Sequence, residues 1–274
     1  MVTRLTKTRY LPDFDRLSVL GAIIVLAYTL TRFVNLPVNE LAIELPGFYA
    51  AIPISVQTIV ALLSAGLTAS GSNWLLHDHP AARQQRIWQH AMLPALAALI
   101  LSIPLYQIGS GVLWWVSLFA GCTTLILIVT AEYIAMDPED LRYPLAAAWL
   151  TAVSYALYLA FAITLRSLNI RLFFMIPALT VGGWAVSLRA IHLRMHGEWL
   201  FLDASLITLL IIQASAALHY WPLTPFSFGI SVLGLTYALT SFVGGLAEEK
   251  TVRQAIVEPI LVLAGTFAAA VWLR

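Results

Sequence analysis

Few residues in this chain can do chemistry. The densest group is the run Glu248-Glu249-Lys250-Thr251-Val252-Arg253, followed by Glu258 inside an apolar stretch. Paired carboxylates beside a cation can activate a water or hold a proton. Glu248, Glu249, Arg253 and Glu258 are therefore candidates for acid–base work, with Asp203 as a further acid. His192 and His196, in "LRAIHLRMHGEW", stand four apart and share one helix face. That spacing can chelate a metal. No HExxH accompanies them, and Arg189 and Arg194 would repel a cation. The expectation is no metal there, and a basic face that meets phospholipid headgroups. His77, Asp78 and His79 form "HDHP", too small a ligand set in one short loop. No cofactor is expected. His90 opens one apolar span and His219 closes another at the opposite face, so they cannot share a haem, and the histidine boxes of membrane desaturases are missing.

The elements that hold these groups follow from composition. Of 274 residues, 60% are hydrophobic and 11% charged, with mean hydropathy +0.85. A soluble globular chain carries about 25% charged residues. Apolar runs of about 20 residues recur, as membrane-spanning helices require, and the alternating segments of about 10 residues typical of a membrane barrel are absent. The fold expected is all-α: a polytopic transmembrane bundle of about nine spans, near 17–36, 48–70, 90–108, 111–134, 144–165, 172–190, 200–219, 225–246 and 255–273. With short connections and no repeat, residues 1–274 read as a single transmembrane domain. A net charge of +1 gives no reason to expect a nucleic-acid partner. The one cysteine, Cys122, allows no intrachain disulfide. "MVTRLTKTRYLPDFDR" is too polar for a secretory signal, so the first span is expected to stay as an anchor.

Basic residues set the expected sidedness. With a cytoplasmic N-terminus, Arg4, Lys7, Arg9, Arg16, Arg83, Arg86, Arg142, Arg189, Arg194, Lys250 and Arg253 lie inside, against Arg32, Arg166, Arg171 and Arg274 outside. Arg166 and Arg171, in "RSLNIR", read as arginines snorkelling to the outer interface. Trp74, Trp88 and Trp199 fall at the inner interface; Trp114, Trp115, Trp221 and Trp272 fall at the outer one. "NLPVNELAIELPG" reads as a short interfacial segment with Glu40 and Glu44 on one side. Ala61, Ala65 and Ala69 make a small-residue stripe suited to close helix approach. Pro94 and Pro104 bend or interrupt the third span, and Pro177 the sixth, which makes both candidate cavity walls.

Ionisable groups within the spans are Glu132, Asp203 and Glu258, all toward cytoplasmic ends. A midplane almost free of charge argues against ion coupling. Glu258 is expected to be the most sensitive of the opening acids. It lies about 7–8 Å beyond Arg253 along a helix and precedes Pro259, so it needs a polar partner inside the bundle.

The run from Glu248 to Arg253 fits EExxxR, which resembles the first motif of the CAAX-processing/bacteriocin-immunity type intramembrane proteases. That resemblance implies a glutamate activating the water that cleaves a peptide bond, with Arg253 as electrostatic partner. It covers six residues, and residues 254–274 hold no histidine to supply the family's later motifs. A Glu249–Arg253 ion pair at i, i+4 accounts for the same letters. Over the whole chain, "SGSNWLLHDHP" and "LHYWPLTPFSFGISVLGLTYAL" resemble an uncharacterised family of bacterial multi-pass integral membrane proteins. That resemblance implies a cytoplasmic-type membrane, a bacterial inner membrane. The functional reading is a non-enzymatic membrane subunit or a lipid or small-molecule handling protein, with membrane lipids and other membrane subunits as partners. The alternatives are a membrane-embedded enzyme with an acidic and histidine site at the cytoplasmic face, and an uncoupled transporter or channel.

Overall fold

The computed structural model describes residues 12–33, 39–45, 48–54, 56–83, 86–109, 111–195 and 197–273, with side chains at 12–30, 57–82, 86–109, 111–195 and 197–273. The elements in order are α1 (Phe14–Phe33), β1 (Asn39–Leu45), β2 (Phe48–Ile54), α2 (Val56–Leu76), α3 (Met92–Gln107), α4 (Val112–Ala135), α5 (Tyr143–Ser167), α6 (Leu172–Arg194), α7 (Phe201–His219), α8 (Pro225–Ala247) and α9 (Val252–Trp272). Two short 3-10 turns, Pro80–Arg83 and Ile87–Gln89, lead into α3. Among the described residues, eight stretches are long and apolar enough to cross a membrane: α2, α3 together with the turn before it, and α4 to α9. The α3 helix alone has 16 residues, about 24 Å, so its 3-10 approach supplies the missing length. The architecture is that of an all-α polytopic membrane protein.

The hairpin corrects one expectation. Residues 39–45 are not a helical interfacial segment but strand β1, antiparallel to β2 with Asn39 opposite Ile54 and Leu45 opposite Phe48. The second span consequently starts at Val56, not near residue 48. The signal in the sequence is Pro46-Gly47 between NELAIEL, whose Leu41, Ile43 and Leu45 recur at every second residue, and FYAAIPI, rich in aromatic and β-branched residues.

The chain divides into two compact units, one ending at Tyr133 and the other beginning at Ile134. In the first, the Tyr28 hydroxyl of α1 donates to the Ala98 carbonyl of α3 at 2.5 Å. Trp114, placed at the lipid interface by sequence, is instead buried, because its indole N–H donates to the Leu105 carbonyl at the end of α3 at 3.1 Å. The fully buried positions of α2 include Ser64, Thr68 and Ser72, while the neighbouring alanines are half-buried.

In the second unit, α5 to α9 follow one another as packed neighbours, and α8 also packs on α5. Lipid tails are as apolar as leucine, so the helices are held by close packing rather than by water exclusion. The closest approach joins α8 to α9: a Cβ on Gly234 would collide with Thr266. Only a residue without a side chain lets the two backbones meet there. Leu150, Tyr158, Val186, Ile211, Phe228 and Val232 are fully buried in this part of the chain.

Among the described residues no proline interrupts its helix. Pro94 falls in the first turn of α3, where its missing N–H has no intrahelical acceptor to lose. The α3, α6 and α9 helices run unbroken through Pro104, Pro177 and Pro259.

Candidate functional site

The second unit has a half-open cavity of about 270 Å³ between α5, α6 and α8. Helical periodicity aims each wall. Ala147, Ala148, Thr151 and Tyr155 recur along one face of α5. Ala190, Leu193 and Arg194 come from the last turns of α6, and Tyr237, Thr240 and Ser241 from α8. Alanines keep the space open; hydroxyls and one guanidinium give it polarity.

The polar groups form three hydrogen-bonded sets. The Thr240 hydroxyl donates back to the Thr236 carbonyl at 2.8 Å, which leaves its lone pairs to accept the Tyr155 hydroxyl at 2.7 Å. Arg194 donates through Nη1 to the carbonyl and hydroxyl of Ser241, both at 3.3 Å, and through Nε to Glu248 Oε1 at 2.5 Å. Gly244 makes room for this: a Cβ there would meet the Arg194 side chain at 2.5–2.7 Å. Lys250 closes on the other Glu248 oxygen at 2.7 Å. Hydrogen bonds from Arg194, then from Lys250, hold the Glu248 carboxyl down from its ordinary 4.5 to about 2. The Tyr237 hydroxyl donates to Glu258 Oε1 at 2.7 Å. Glu258 thus has its polar partner on α8, while its side chain stays on the outer surface of α9. A carboxylate one and a half turns into an apolar helix needs such a donor.

The other acids and histidines are dispersed. Glu248 is the residue that ends α8, and Glu249 turns the chain with φ 60° before Thr251 caps α9 through a capping box with Gln254. The turn breaks the helix between Glu249 and Arg253, so the i, i+4 geometry expected for that pair does not exist. Among the described residues no ion pair joins them. Asp203 sits in the first turn of α7, and none of the acids is on the cavity wall. His192 is buried, with Nδ1 3.3 Å from the Glu198 carbonyl and its ring stacked on Trp199 at 3.7 Å. His196 lies outside the described residues. Among the described residues no three His, Cys, Asp or Glu side chains cluster as a metal would need. In the first unit, Glu132 of α4 meets His90 Nδ1 at 3.1 Å, both fully buried, a tie between α4 and the start of α3.

Sequence reasoning missed Tyr155, Tyr237, Thr240 and Ser241. Their signal was present: "TYALTSFVGG" places hydroxyls at helical spacing beside two glycines inside an apolar span. Arg166 stands at the C-terminal end of α5, where its guanidinium is held by His219 Nδ1 at 3.2 Å and the Trp221 carbonyl at 3.4 Å.

No curated protein and no solved structure matches the chain. Residues 36–273, from the hairpin through α9, match the family described as "Protein of unknown function (DUF5656)". With most of its length inside that match, and with it every residue of the cavity, the chain belongs to this family.

Proposed function

We propose that the chain is an integral membrane protein that holds a small amphiphile, with an uncharged or zwitterionic head, in the cavity walled by α5, α6 and α8. The observation that carries this reading is the wall itself. Alanines and Leu193 form one part, five hydroxyls the other, and Arg194, the single charged lining residue among those described, is already balanced by Glu248. An anion would have to displace Glu248, and a cation would face Arg194. A head that accepts and donates hydrogen bonds without net charge meets neither obstacle. The volume suits such a head and a few carbons of its chain. Access is lateral: Leu145, Ala148 and Trp149 beside the cavity are exposed on α5. Among the described residues no carboxylate or histidine lines the wall, so none of them offers a general base for hydrolysis there. This supports lipid or small-molecule handling over membrane-embedded catalysis.

Photoreactive diacylglycerol and photoreactive phosphatidylethanolamine, each in nanodiscs with the full chain, test it. Crosslinks are expected in 147–155 and 237–241. Ala148→Trp, which fills the cavity, is expected to lower them about tenfold, as a loss of about 1.4 kcal/mol of binding would. Leu206→Trp, on an exposed face of α7, is expected to leave them unchanged. Labelling that ignores Ala148→Trp would overturn the proposal.

A further inference from the structure

The two ends of the second unit differ in charge. Because α5 to α9 alternate in direction, residues near 137–143, 195–201 and 247–252 share one end, and residues 166–172 and 219–225 share the other. All acids between 134 and 273 fall within 137–140, 198–203 and 248–258. They lie at the first end or just inside it. The second end carries Arg166 and Arg171 and no acid among the described residues.

Arg166 is half-buried at the C-terminal end of α5. Its contacts are all neutral. Nη1 faces His219 Nδ1 at 3.2 Å, Nη2 donates to the Trp221 carbonyl at 3.4 Å, and the guanidinium lies 5.6 Å from the Phe228 ring. A guanidinium only donates, so Nδ1 of His219 must accept. His219 is then a neutral imidazole with its proton on Nε2. Two of five N–H groups are engaged in these bonds, and among the described residues no carboxylate pairs with the positive charge. A half-buried arginine held in place by neutral acceptors is a preformed anion receptor. Arg171, exposed at the start of α6, adds a second positive charge across the turn. Exposed Tyr220 and Trp221 flank the site with rings of the kind that settle at a membrane interface.

We infer that the Arg166–His219 end binds a phosphate group, supplied by an anionic phospholipid headgroup or by free phosphate. Arg166 makes the charge-assisted bonds, His219 and the Trp221 carbonyl fix its guanidinium, and Arg171 supplies long-range attraction. This site is separate from the α5–α6–α8 cavity, whose polar wall lies toward the opposite end of α5 and α6.

Native mass spectrometry of the full chain, released from nanodiscs of phosphatidylglycerol and phosphatidylcholine, reads the site. The wild type is expected to retain phosphatidylglycerol preferentially. Arg166→Gln is expected to lower that retention about fivefold, and the Arg166→Gln/Arg171→Gln pair further. Arg166→Lys keeps the charge without the fork and is expected to fall between. Should Arg166→Gln fail to fold, Arg171→Gln, an exposed change, carries the test with a drop of about threefold. Millimolar inorganic phosphate added during release separates the sources. Displacement of the lipid means that free phosphate is an equal occupant; no displacement assigns the site to the headgroup. Equal retention of both lipids by the wild type, with no effect of phosphate, would overturn the inference, as would Arg171→Gln and Arg166→Gln variants that retain phosphatidylglycerol like the wild type. Ala148→Trp is expected to leave this retention unchanged, so the two proposals fail separately.

Discussion

At one end of the α5–α9 unit Arg142, Arg194 and Lys250 are closed onto carboxylates; at the other end Arg166 is not. Arg194 and Lys250 share Glu248, and Arg142 forks onto Asp140 through Nε at 3.1 Å and Nη2 at 2.8 Å, which raises the Arg142 pKa. Arg166 instead rests on an imidazole, a carbonyl and a ring. The same residue type has two uses. Paired with a carboxylate, arginine fixes the chain around it and its charge is offset. Fixed by neutral acceptors, it keeps its charge for something outside the fold.

Four substitutions break or sharpen this contrast. The largest effect is expected at Gly244. Gly244→Leu fills the seat of Arg194 and drives its guanidinium from both Glu248 and Ser241. A loss of about 1–3 kcal/mol in thermal unfolding is expected; unchanged stability would mean that the paired end is not tightly packed. A smaller loss is expected for Glu248→Gln, about 1 kcal/mol at neutral pH, since the carboxylate is one-third exposed and partly screened. Its folded pKa is depressed from 4.5 to about 2. Its stabilisation is therefore complete above about pH 4.5 and disappears as pH falls through about 2. Melting temperatures taken from pH 6 to 2 should converge for the wild type and Glu248→Gln at the acid end. The smallest effect compares the turns. Glu249 and Asn169 both adopt left-handed backbone, at φ 60° and 50°. Glutamate is strained there and asparagine tolerates it. Glu249→Gly is expected to gain about 0.5–1 kcal/mol, and Asn169→Gly close to nothing. A loss of function in Glu249→Gly without loss of stability would reopen the protease-like reading of EExxxR.

The helices from α4 onward were legible because long apolar runs end at polar turns, and a membrane leaves backbone few alternatives. The hairpin was not, since an apolar segment of seven residues reads equally as the start of a span. The cavity was legible only in part. Arg194 read as part of a basic face that meets headgroups, and Glu258 as an acid that needed a donor. Neither spacing nor composition could name Tyr237 as that donor, because the contact joins two helices. The histidines drew attention through metal-like spacing, yet His192 spends its ring on Trp199. Hydroxyls such as Thr240 look ordinary in a sequence because most bond to their own helix, and only the neighbour at Tyr155 turns one into a wall group.

The glycine contact between α8 and α9 also governs how the protein gives way under load. Pulled from residue 273, the chain transmits force first into α9, whose outer face bears exposed Ile256, Val257, Ile260 and Leu261 and whose main neighbour is α8. The Gly234–Thr266 contact and the Tyr237–Glu258 bond lie along that single seam. In a force–extension trace α9 therefore either peels alone or drags α8 with it as one hairpin. A bulky residue at 234, which wedges the seam apart, selects the first event.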